Sequence, residues 1–321
     1  MDFSVVYIVG VGRSGTSLLQ SMFATHPNVS YMPETSFIRR YLAKGVLDKA
    51  CASSGREAVI QKLSDDEPLL RLGLDVSQIV AHAEMQSGLL DLEIYHQMLI
   101  SRYEDNVEWV GDKDPRLIEF LPLISLLFPK AAVINIIRDP RDVLLSKKKA
   151  SWSRTGHVWK HVFANRVQLK LGHNSGTRVL GNNYHEIVYE NLIASPREVL
   201  SLLCKKIGLQ FDETMLSFGD AAKGLVSQSE ISWKKETFGP LLSQNKEKWK
   251  TELSSKEIVL TELCCKEAFR LGGNKTDDRK LRLTLLDKLW VIAGATLIFL
   301  ADWPYRFYRN YTVRKACKRV R

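Results

Sequence analysis

Residues 5–17 read VVYIVGVGRSGTS. The first five are β-branched or aromatic without interruption, which is typical of a strand buried on both faces of a parallel sheet. After the glycine-rich loop, residues 16–23 carry apolar side chains at helical spacing, and His26-Pro27 predicts where that helix ends. A strand, a glycine loop and a helix in this order predict the first unit of an α/β fold, in which the loop and the helix N-terminus bind an anion.

Further along the chain, residues 107–110, 131–137 and 186–189 repeat the strand pattern. They alternate with helical segments, which favours a parallel sheet covered on both faces. Residues 35–105 are polar and favour helix, without a convincing strand, so we predict a helical insertion there. We expect a main domain over residues 1–273, followed by a linker, an apolar helix and a basic tail over residues 274–321.

The composition sets limits on the class of protein. The 321 residues are 45% hydrophobic and 26% charged, which excludes overall disorder and allows a sizeable core. Of the net charge of +10, seven positive charges lie in residues 303–321, where no acidic residue occurs, so the body carries +3. A mildly basic body suits an anionic ligand, and we expect no nucleic-acid partner. The basic tail points to a membrane surface or a polyanion.

The five cysteines lack C-x2-C spacing and the seven histidines lack metal-ligand spacing, so neither a zinc site nor a disulfide framework is predicted. We expect reduced thiols and a cytoplasmic protein. The apolar run at residues 5–9 has no basic residue before it and is too short for a signal-peptide core, so no export is expected from this end.

Near the C-terminus, residues 289–301 form an uncharged, mostly apolar run of 13 between Lys288 and Asp302. A membrane-spanning helix needs roughly 20 such residues. Because aromatic and basic residues follow, the segment fits a helix lying in a membrane interface, with the tail drawn to anionic lipid. We therefore expect peripheral membrane association through residues 289–321. A helix packed on the core is the main alternative, and a tilted or re-entrant span is another.

The glycine loop departs from the nucleotide triphosphatase pattern G-x4-G-K-S/T. Gly10 and Gly15 match this pattern, but Thr16 replaces the lysine that reaches the β- and γ-phosphates. Arg13 supplies the cation instead, and its planar, permanently charged fork suits a terminal sulfate or phosphate without a metal. The loop is therefore predicted to hold an oxyanion.

A second cationic segment, residues 138–146, follows the strand at 131–137. Arg138 falls at the carboxyl end of that strand, where open α/β sheets bind ligands. Ser146 lies about two turns into the following helix, where its hydroxyl is able to reach the same phosphate. A strand that ends in arginine rather than in an acidic Mg²⁺ ligand weakens the interpretation as a kinase.

These segments together resemble the sulfotransferase family, which uses 3′-phosphoadenosine 5′-phosphosulfate (PAPS). The resemblance rests on the Arg13 loop, on residues 138–146 and on the sequence YENL at residues 189–192, and it covers scattered blocks from about residue 5 to 250. It is greatest to tyrosylprotein sulfotransferases and their bacterial relatives. In those proteins, three short motifs follow the arginine loop in the order found here: His26-Pro27, Glu34-Thr35 and Lys113-Asp114-Pro115.

The resemblance implies a P-loop-like parallel sheet flanked by helices and a role for each matching residue. Glu34 would be the catalytic base, and Lys113 and Arg13 would stabilise the transferring sulfuryl group. Arg138 and Ser146 would bind the 3′-phosphate, and Tyr189, placed in the fourth strand, would contact the donor nucleotide. No metal is expected. The 5′-phosphosulfate loop would consist of Gly12, Arg13, Ser14, Gly15, Thr16 and Ser17.

For several residues the sequence leaves more than one role open. Glu34 and Lys113 also fit ordinary loop residues, and His26 fits a packing residue at a helix end. Residues 147–149, three consecutive lysines, are expected to form a solvated helix face. Trp152 and Trp159 either line the acceptor site or pack internally. A late substrate-and-donor loop is expected between Gly224 and Trp249, with the candidates Ser227, Lys234, Lys235 and Lys246.

The expected reaction is therefore transfer of a sulfuryl group from PAPS to a hydroxyl of an unidentified acceptor, which is a carbohydrate, a lipid, a small molecule or a peptide. Such a transfer needs a base for the hydroxyl, an in-line approach and cations where charge develops. Two alternatives stay open. One is a P-loop nucleoside or nucleotide kinase using ATP and Mg²⁺, and the other is a non-catalytic, membrane-associated nucleotide-binding protein.

Overall fold

The computed structural model describes residues 3–84, 89–150, 156–221, 225, 238, 241–242 and 244–321. Over these residues the chain forms a five-stranded, all-parallel sheet with the strand order β2-β3-β1-β4-β5. This confirms the predicted α/β class with a parallel sheet flanked by helices. The strands are β1 (Ser4–Gly10), β2 (Val29–Tyr31), β3 (Trp109–Lys113), β4 (Ala132–Ile137) and β5 (Tyr184–Val188).

Helices cover both faces of this sheet, and they account for most of the described chain. The helices are α1 (Thr16–Ala24), α2 (Phe37–Arg40), α3 (Val46–Ser64, kinked at Gly55), α4 (Glu67–Leu70), α5 (Val76–Glu84), α6 (Leu90–Ile100), α7 (Leu121–Leu127), α8 (Pro140–Lys149), α9 (Val158–Val179), α10 (Tyr189–Ala194), α11 (Pro196–Ile207), α12 (Trp249–Glu252), α13 (Ser255–Cys264), α14 (Lys266–Gly272) and α15 (Leu285–Arg319).

The central strand β1 shows why its sequence is continuously apolar. Tyr7 and Val9 belong to a core cluster on one face of the sheet, whereas Val6 and Ile8 belong to a separate cluster on the other face. Successive side chains of a strand point to opposite faces, so a strand covered on both sides needs an apolar residue at every position. The neighbouring strand β4 is buried along its whole length in the same way.

All four strands predicted from the sequence are present, with their ends shifted by up to three residues. The strand β2 was missed because it is only three residues long and lies at the sheet edge, too short for a recognisable pattern. Tyr189 was placed in the fourth strand, which is wrong: β5 ends at Val188, and Tyr189 is the first residue of α10. Between β2 and β3 the described residues form helices α2 to α6 and no strand, as expected.

The apolar run near the C-terminus is part of the 35-residue helix α15. One face of α15 packs on the body, where Val291, Ala295 and Ile298 join one core cluster and Val313 and Ala316 join another. Within the described parts of the chain, no helix is both long and apolar enough to cross a membrane. The alternative of a helix packed on the core therefore applies to this face of α15.

Glu119, at the end of the short 3-10 helix Pro115–Glu119, fixes α15 to the body. Its buried carboxylate accepts hydrogen bonds from Gln168 Nε2 of α9 and from the hydroxyl of Tyr305, both at 2.8 Å. It also forms an ion pair with Arg309 of α15, with an N···O distance of 2.6 Å. A buried carboxylate is tolerated only with such partners, so Glu119 ties α9 and α15 together.

We predict that Glu119→Ala lowers the free energy of unfolding by about 3 kcal/mol, because it leaves the mostly buried Arg309 side chain, which is 15% exposed, without its carboxylate partner. Arg197→Ala is the matched control, since it removes an ion pair with Glu213 whose side chains are both 61% exposed. The control should cost at most about 1 kcal/mol. Urea unfolding of the two variants measures both values, and equal losses would contradict the role of Glu119.

Candidate functional site

A cavity of about 880 Å³ opens where the strands of the sheet end. All five strands contribute to it just beyond their carboxyl ends, through Gly12, Glu34, Lys113, Arg138 and Tyr189. This is the edge at which open α/β sheets bind ligands. The predicted residues that line the cavity are Gly12, Arg13, Gly15, Thr16, Ser17, Glu34, Lys113, Arg138 and Tyr189. Ser14 and Ser146 do not line it but lie next to residues that do.

The glycine loop between β1 and α1 is held in an unusual backbone conformation. Arg13 has a φ of 78°, a left-handed conformation that costs a non-glycine residue roughly 1 kcal/mol or more. Gly15 has a φ of 104°, and a Cβ atom there would lie 2.4 Å from the ring of Tyr189. The loop therefore requires glycine at this position, because Tyr189 packs directly against its backbone.

Arg13 joins the loop to the second cationic segment. Its Nε donates a hydrogen bond to the hydroxyl of Ser146 in α8, with a distance of 3.0 Å. Arg138 Nη1 lies 3.4 Å from the carbonyl oxygen of Arg13. This contact arises because β1 and β4 are adjacent parallel strands, so the residues that follow them meet at one edge of the sheet.

Arg138 is buried in a setting that fixes its side chain. The guanidinium lies over the ring of Tyr189, 4.2 Å from its centroid, and Nη2 donates to the carbonyl oxygen of Asn245 at 3.1 Å. Its Nε and the hydroxyl oxygen of Ser14 are buried without a hydrogen-bond partner among the described residues. Buried polar atoms without partners are rare, and here they lie beside a cavity, so they fit the binding of an anionic ligand.

Asn245 is a site residue that the sequence analysis missed. It is buried, lines the cavity and donates through Nδ2 to the hydroxyl of Tyr189 at 2.8 Å. Asp142 of α8 holds this segment in place by accepting the backbone N–H groups of Glu247 and Trp249, at 2.7 and 3.0 Å. A single asparagine in a polar loop carries no pattern that would have identified it.

Of the four candidates for the late loop, only Lys246 is among the described residues. Lys246 is exposed and does not line the cavity, so the structure does not place it in the site. Ser227, Lys234 and Lys235 lie outside the described residues, as does Trp152.

Glu34 and Lys113 form an ion pair inside the cleft. Lys113 is the last residue of β3 and its side chain is almost fully buried, whereas the Glu34 side chain remains 24% exposed toward the cavity. The register of β1 and β3 places Lys113 opposite Ile8, close to the start of the glycine loop. The pair thus provides a carboxylate and an ammonium group on the same wall of the cavity as Arg13.

The neighbouring Asp114 serves the structure of this wall. Its carboxylate accepts the backbone N–H of Arg116 at 3.0 Å and a hydrogen bond from Arg39 Nε at 3.0 Å. Burial raises the pKa of Asp114, and the positive charge of Arg39 opposes this shift. Asp114 therefore holds the start of the 3-10 helix that follows β3 and keeps Arg39 at the cavity.

Lys147 contradicts the expectation that residues 147–149 form a solvated helix face. Lys148 and Lys149 do point outward and pair with Glu257 and Glu252, at 2.6 and 2.5 Å. Lys147 is only 5% exposed, lines the cavity and has no hydrogen bond or ion pair with a described residue. Because successive residues of a helix point in different directions, one of three consecutive lysines faces the protein interior. The three identical residues give no sequence signal of which one this is. Burial lowers the pKa of Lys147 to about 8.

Two residues left open by the sequence lie outside the cavity wall. His26 Nε2 donates to the carbonyl oxygen of Gln210 at 2.7 Å, and its Nδ1 accepts the N–H of Asn28 at 3.1 Å. Both nitrogens are thus used in packing at the end of α1, as expected. Trp159 packs on Trp290 with ring centroids 5.4 Å apart, and it does not line the cavity.

A further wall of the cavity comes from residues of α9 and α15, for which the sequence carries no signal of a place in the site. This wall combines apolar and cationic or polar groups: Lys160, His161, Phe163, Val167, Gln168 and Tyr305. Across the ranges that the structure describes, no group of three or more His, Cys, Asp or Glu residues is placed to hold a metal ion.

The family model described as "Sulfotransferase family" matches residues 5–213. Among curated proteins, the chain is similar to protein-tyrosine sulfotransferase 2 of Gallus gallus, with 24% identity over 236 residues. That match covers 72% of this chain and 58% of the chicken protein. Human protein-tyrosine sulfotransferase 1 is 31% identical over 140 residues, which are 44% of this chain and 32% of the human protein.

Two solved structures are similar over nearly their whole length. The sulfotransferase domain from the Synechococcus PCC 7002 olefin synthase has a TM-score of 0.56 at 19% identity, covering 92% of this chain and 96% of that domain. The sulfotransferase domain from the curacin biosynthetic pathway has a TM-score of 0.57 at 18% identity, covering 86% and 99%. These similarities confirm the predicted P-loop-like fold.

The buried lysine predicts how anion binding depends on pH. Lys147 is charged below a pKa of about 8 and neutral above it. We therefore expect the affinity for inorganic sulfate to fall roughly tenfold between pH 7 and pH 9. A fall of this size corresponds to the free energy of about one charge-assisted hydrogen bond. Isothermal titration calorimetry at several pH values measures this.

The control variant is Lys149→Met, which removes an exposed lysine of the same helix that pairs with Glu252. This variant should keep the fall in affinity, whereas Lys147→Met should bind sulfate weakly at pH 7 and show no further fall. The same pH dependence in Lys147→Met would show that another group titrates.

Proposed function

Because the chain belongs to the sulfotransferase family, we propose that it transfers the sulfuryl group of PAPS to a hydroxyl of an acceptor. The observation that carries this proposal is the hydrogen bond from Arg13 to Ser146, with Arg138 in contact with the same loop. It joins two cationic sites into one continuous surface, as a ligand with a 5′-phosphosulfate and a 3′-phosphate requires. The unpartnered Nε of Arg138 and hydroxyl of Ser14 support the fit of such a donor.

When bound, PAPS supplies a sulfuryl group on a good leaving group. The reaction breaks the S–O bond to the 5′-phosphate and forms an S–O bond to the acceptor oxygen, whose proton passes to Glu34. Glu34 suits this role because its carboxylate faces the cavity and is held there by Lys113. Arg13, Lys113 and the N-terminus of α1 stabilise the negative charge that develops on the oxygens.

The 3′-phosphate site is formed in this proposal by Arg138 and Ser146. Tyr189 contributes by position: its ring supports the guanidinium of Arg138 and packs against Gly15, and its hydroxyl is held by Asn245. Since both the loop and Arg138 rest on this one ring, Tyr189 sets the spacing between the two anion sites.

The acceptor is taken to bind between the Glu34 wall and the wall formed by α9 and α15. The two curated relatives described above are protein-tyrosine sulfotransferases, and their names suggest a phenolic hydroxyl of a peptide as one acceptor. The cavity itself combines the apolar side chains of Phe163 and Val167 with the cationic Lys147 and Lys160. These walls favour an acceptor that has both an apolar part and a negative charge, which a peptide, a lipid or a small molecule provides.

The alternative of a nucleotide kinase is not favoured. Thr16 occupies the position of the phosphate-binding lysine, and the strand β4 ends at Arg138 rather than at an acidic Mg²⁺ ligand.

The role of Glu34 as base is tested with Glu34→Gln, which keeps the size of the side chain but cannot accept the proton. We expect the turnover number to fall by about 100-fold to 10,000-fold, while the affinity for adenosine 3′,5′-bisphosphate stays within about threefold of the wild-type value. Transfer of ³⁵S-labelled sulfate from PAPS to a panel of hydroxyl acceptors measures turnover. Glu213→Gln is the control, because Glu213 pairs only with Arg197 among the ion pairs of the described residues, and both side chains are 61% exposed. Unchanged turnover in Glu34→Gln would exclude it as the base.

A further inference from the structure

Helix α15 (Leu285–Arg319) has two unlike faces. One face is buried against the body, as described above. On the opposite face, large apolar side chains recur at intervals of three or four residues, with one interval of eight between Ile292 and Leu300, and their exposed fractions run from 55% at Leu289 to 77% at Leu286. The members of this outer face used here are Leu286, Leu289, Ile292, Leu300, Trp303 and Phe307.

The outer face is free of charge over most of the helix. At about 100° per residue, the exposed apolar residues between Leu285 and Tyr311 fall on one half of the circumference, and every residue in that half is uncharged. The charged residues of the same stretch lie on the other half, where Asp302 pairs with Arg166 and Arg309 with Glu119. The strip is roughly 40 Å long. Soluble proteins rarely leave an apolar surface of this extent open.

A cluster of positive charge continues the strip. Arg314, Lys315 and Lys318 are exposed and lie on the same half of the helix as the apolar residues, and the exposed Arg321 follows just after the helix ends at Arg319. No acidic residue follows Asp302 in the chain. Trp303 and Tyr311, which precede the cluster, are of the type that prefers the boundary between hydrocarbon and water.

We propose that the outer face of α15 lies flat on an anionic membrane surface. The apolar strip would enter the boundary between lipid headgroups and acyl chains, and the basic cluster would contact the lipid phosphates. The charge of the outer face favours an anionic membrane over a second copy of the chain as its partner. The outer face carries no acidic residue, so a second copy packed face to face through the same surface would leave the four basic side chains unpaired, whereas anionic lipid pairs them.

This arrangement has a consequence for the cleft. Tyr305 projects from the inner side of α15, lines the cavity and donates its hydroxyl hydrogen to Glu119. Trp303, only two residues away, is on the outer side. The wall of the cleft formed by α15 therefore lies about one helix diameter, roughly 10 Å, from the docked surface. Docking would place the cleft beside acceptors carried at a membrane.

Vesicle flotation of the full chain tests the proposal. We expect the wild type to float with vesicles of phosphatidylcholine and phosphatidylserine at least about tenfold more strongly than with phosphatidylcholine alone, and salt should weaken the binding. The variant Leu289→Ser/Leu300→Ser/Phe307→Ser should lose binding to both vesicles. The variant Lys315→Gln/Lys318→Gln should bind the anionic vesicles roughly 30-fold less tightly, because each lysine contributes a factor of roughly five to six.

The matched control is Lys205→Gln/Lys206→Gln, which removes the same charge from exposed positions on α11. Its vesicle binding should stay within about twofold of the wild type. All substituted side chains are exposed, so the variants should keep the thermal unfolding temperature within a few degrees. No binding of the wild type to anionic vesicles, or equal binding by the apolar triple variant, would overturn the proposal.

Sedimentation velocity without vesicles tests whether a second copy of the chain, rather than a membrane, covers the outer face of α15. A dimer formed by the wild type and lost in the triple variant would assign the strip to a second copy and overturn membrane docking, whereas a monomer throughout supports it. Neither measurement uses a nucleotide or an acceptor. Failure of this proposal therefore leaves the proposed sulfuryl transfer untouched, and the reverse also holds.

Discussion

The hydrogen bond between Arg13 and Ser146 is the contact on which the site depends. It links the loop after β1 to the helix after β4, and it exists because those two strands are neighbours in a parallel sheet. The loop has a left-handed backbone at Arg13, and Gly15 must lack a side chain because the ring of Tyr189 packs against its backbone. Strand order, loop conformation and helix placement all converge on this one contact.

The electrostatics of the cleft follow from burial. Lys113, Arg138 and Lys147 are each less than a tenth exposed, and all three line the same cavity. Keeping cations out of water costs free energy unless an anion approaches them, so the protein is arranged to bind a multiply charged anion strongly. Glu34 partly offsets this charge through its ion pair with Lys113, and it gives the cleft a carboxylate next to the cations.

Features that depend on one segment of the sequence, such as a strand or a residue that follows it, could be predicted. Contacts between segments that are distant in the sequence could not. The apolar run before Gly10 predicted β1. The position of Arg138 after a strong strand predicted its place at the carboxyl ends of the strands. The burial of Lys147 depends on how α8 packs, and the role of Asn245 depends on Asp142, more than a hundred residues earlier. Tyr305 reaches the cleft only because Glu119 fixes α15 against the body. None of these three has a local signal.

The proposed function requires that the cleft recognise a nucleotide by its 3′-phosphate. The most direct measurement is calorimetric titration of the wild type and of Arg138→Ala with adenosine 3′,5′-bisphosphate, with ADP, and with ATP and Mg²⁺. We expect the wild type to bind the 3′,5′-bisphosphate at least about tenfold more tightly than ADP without any metal. Arg138→Ala should lose that preference while still binding ADP, which shows that it is folded. A preference for ATP with Mg²⁺, or a preference for the 3′,5′-bisphosphate that survives in Arg138→Ala, would show that Arg138 does not recognise a 3′-phosphate in this cleft.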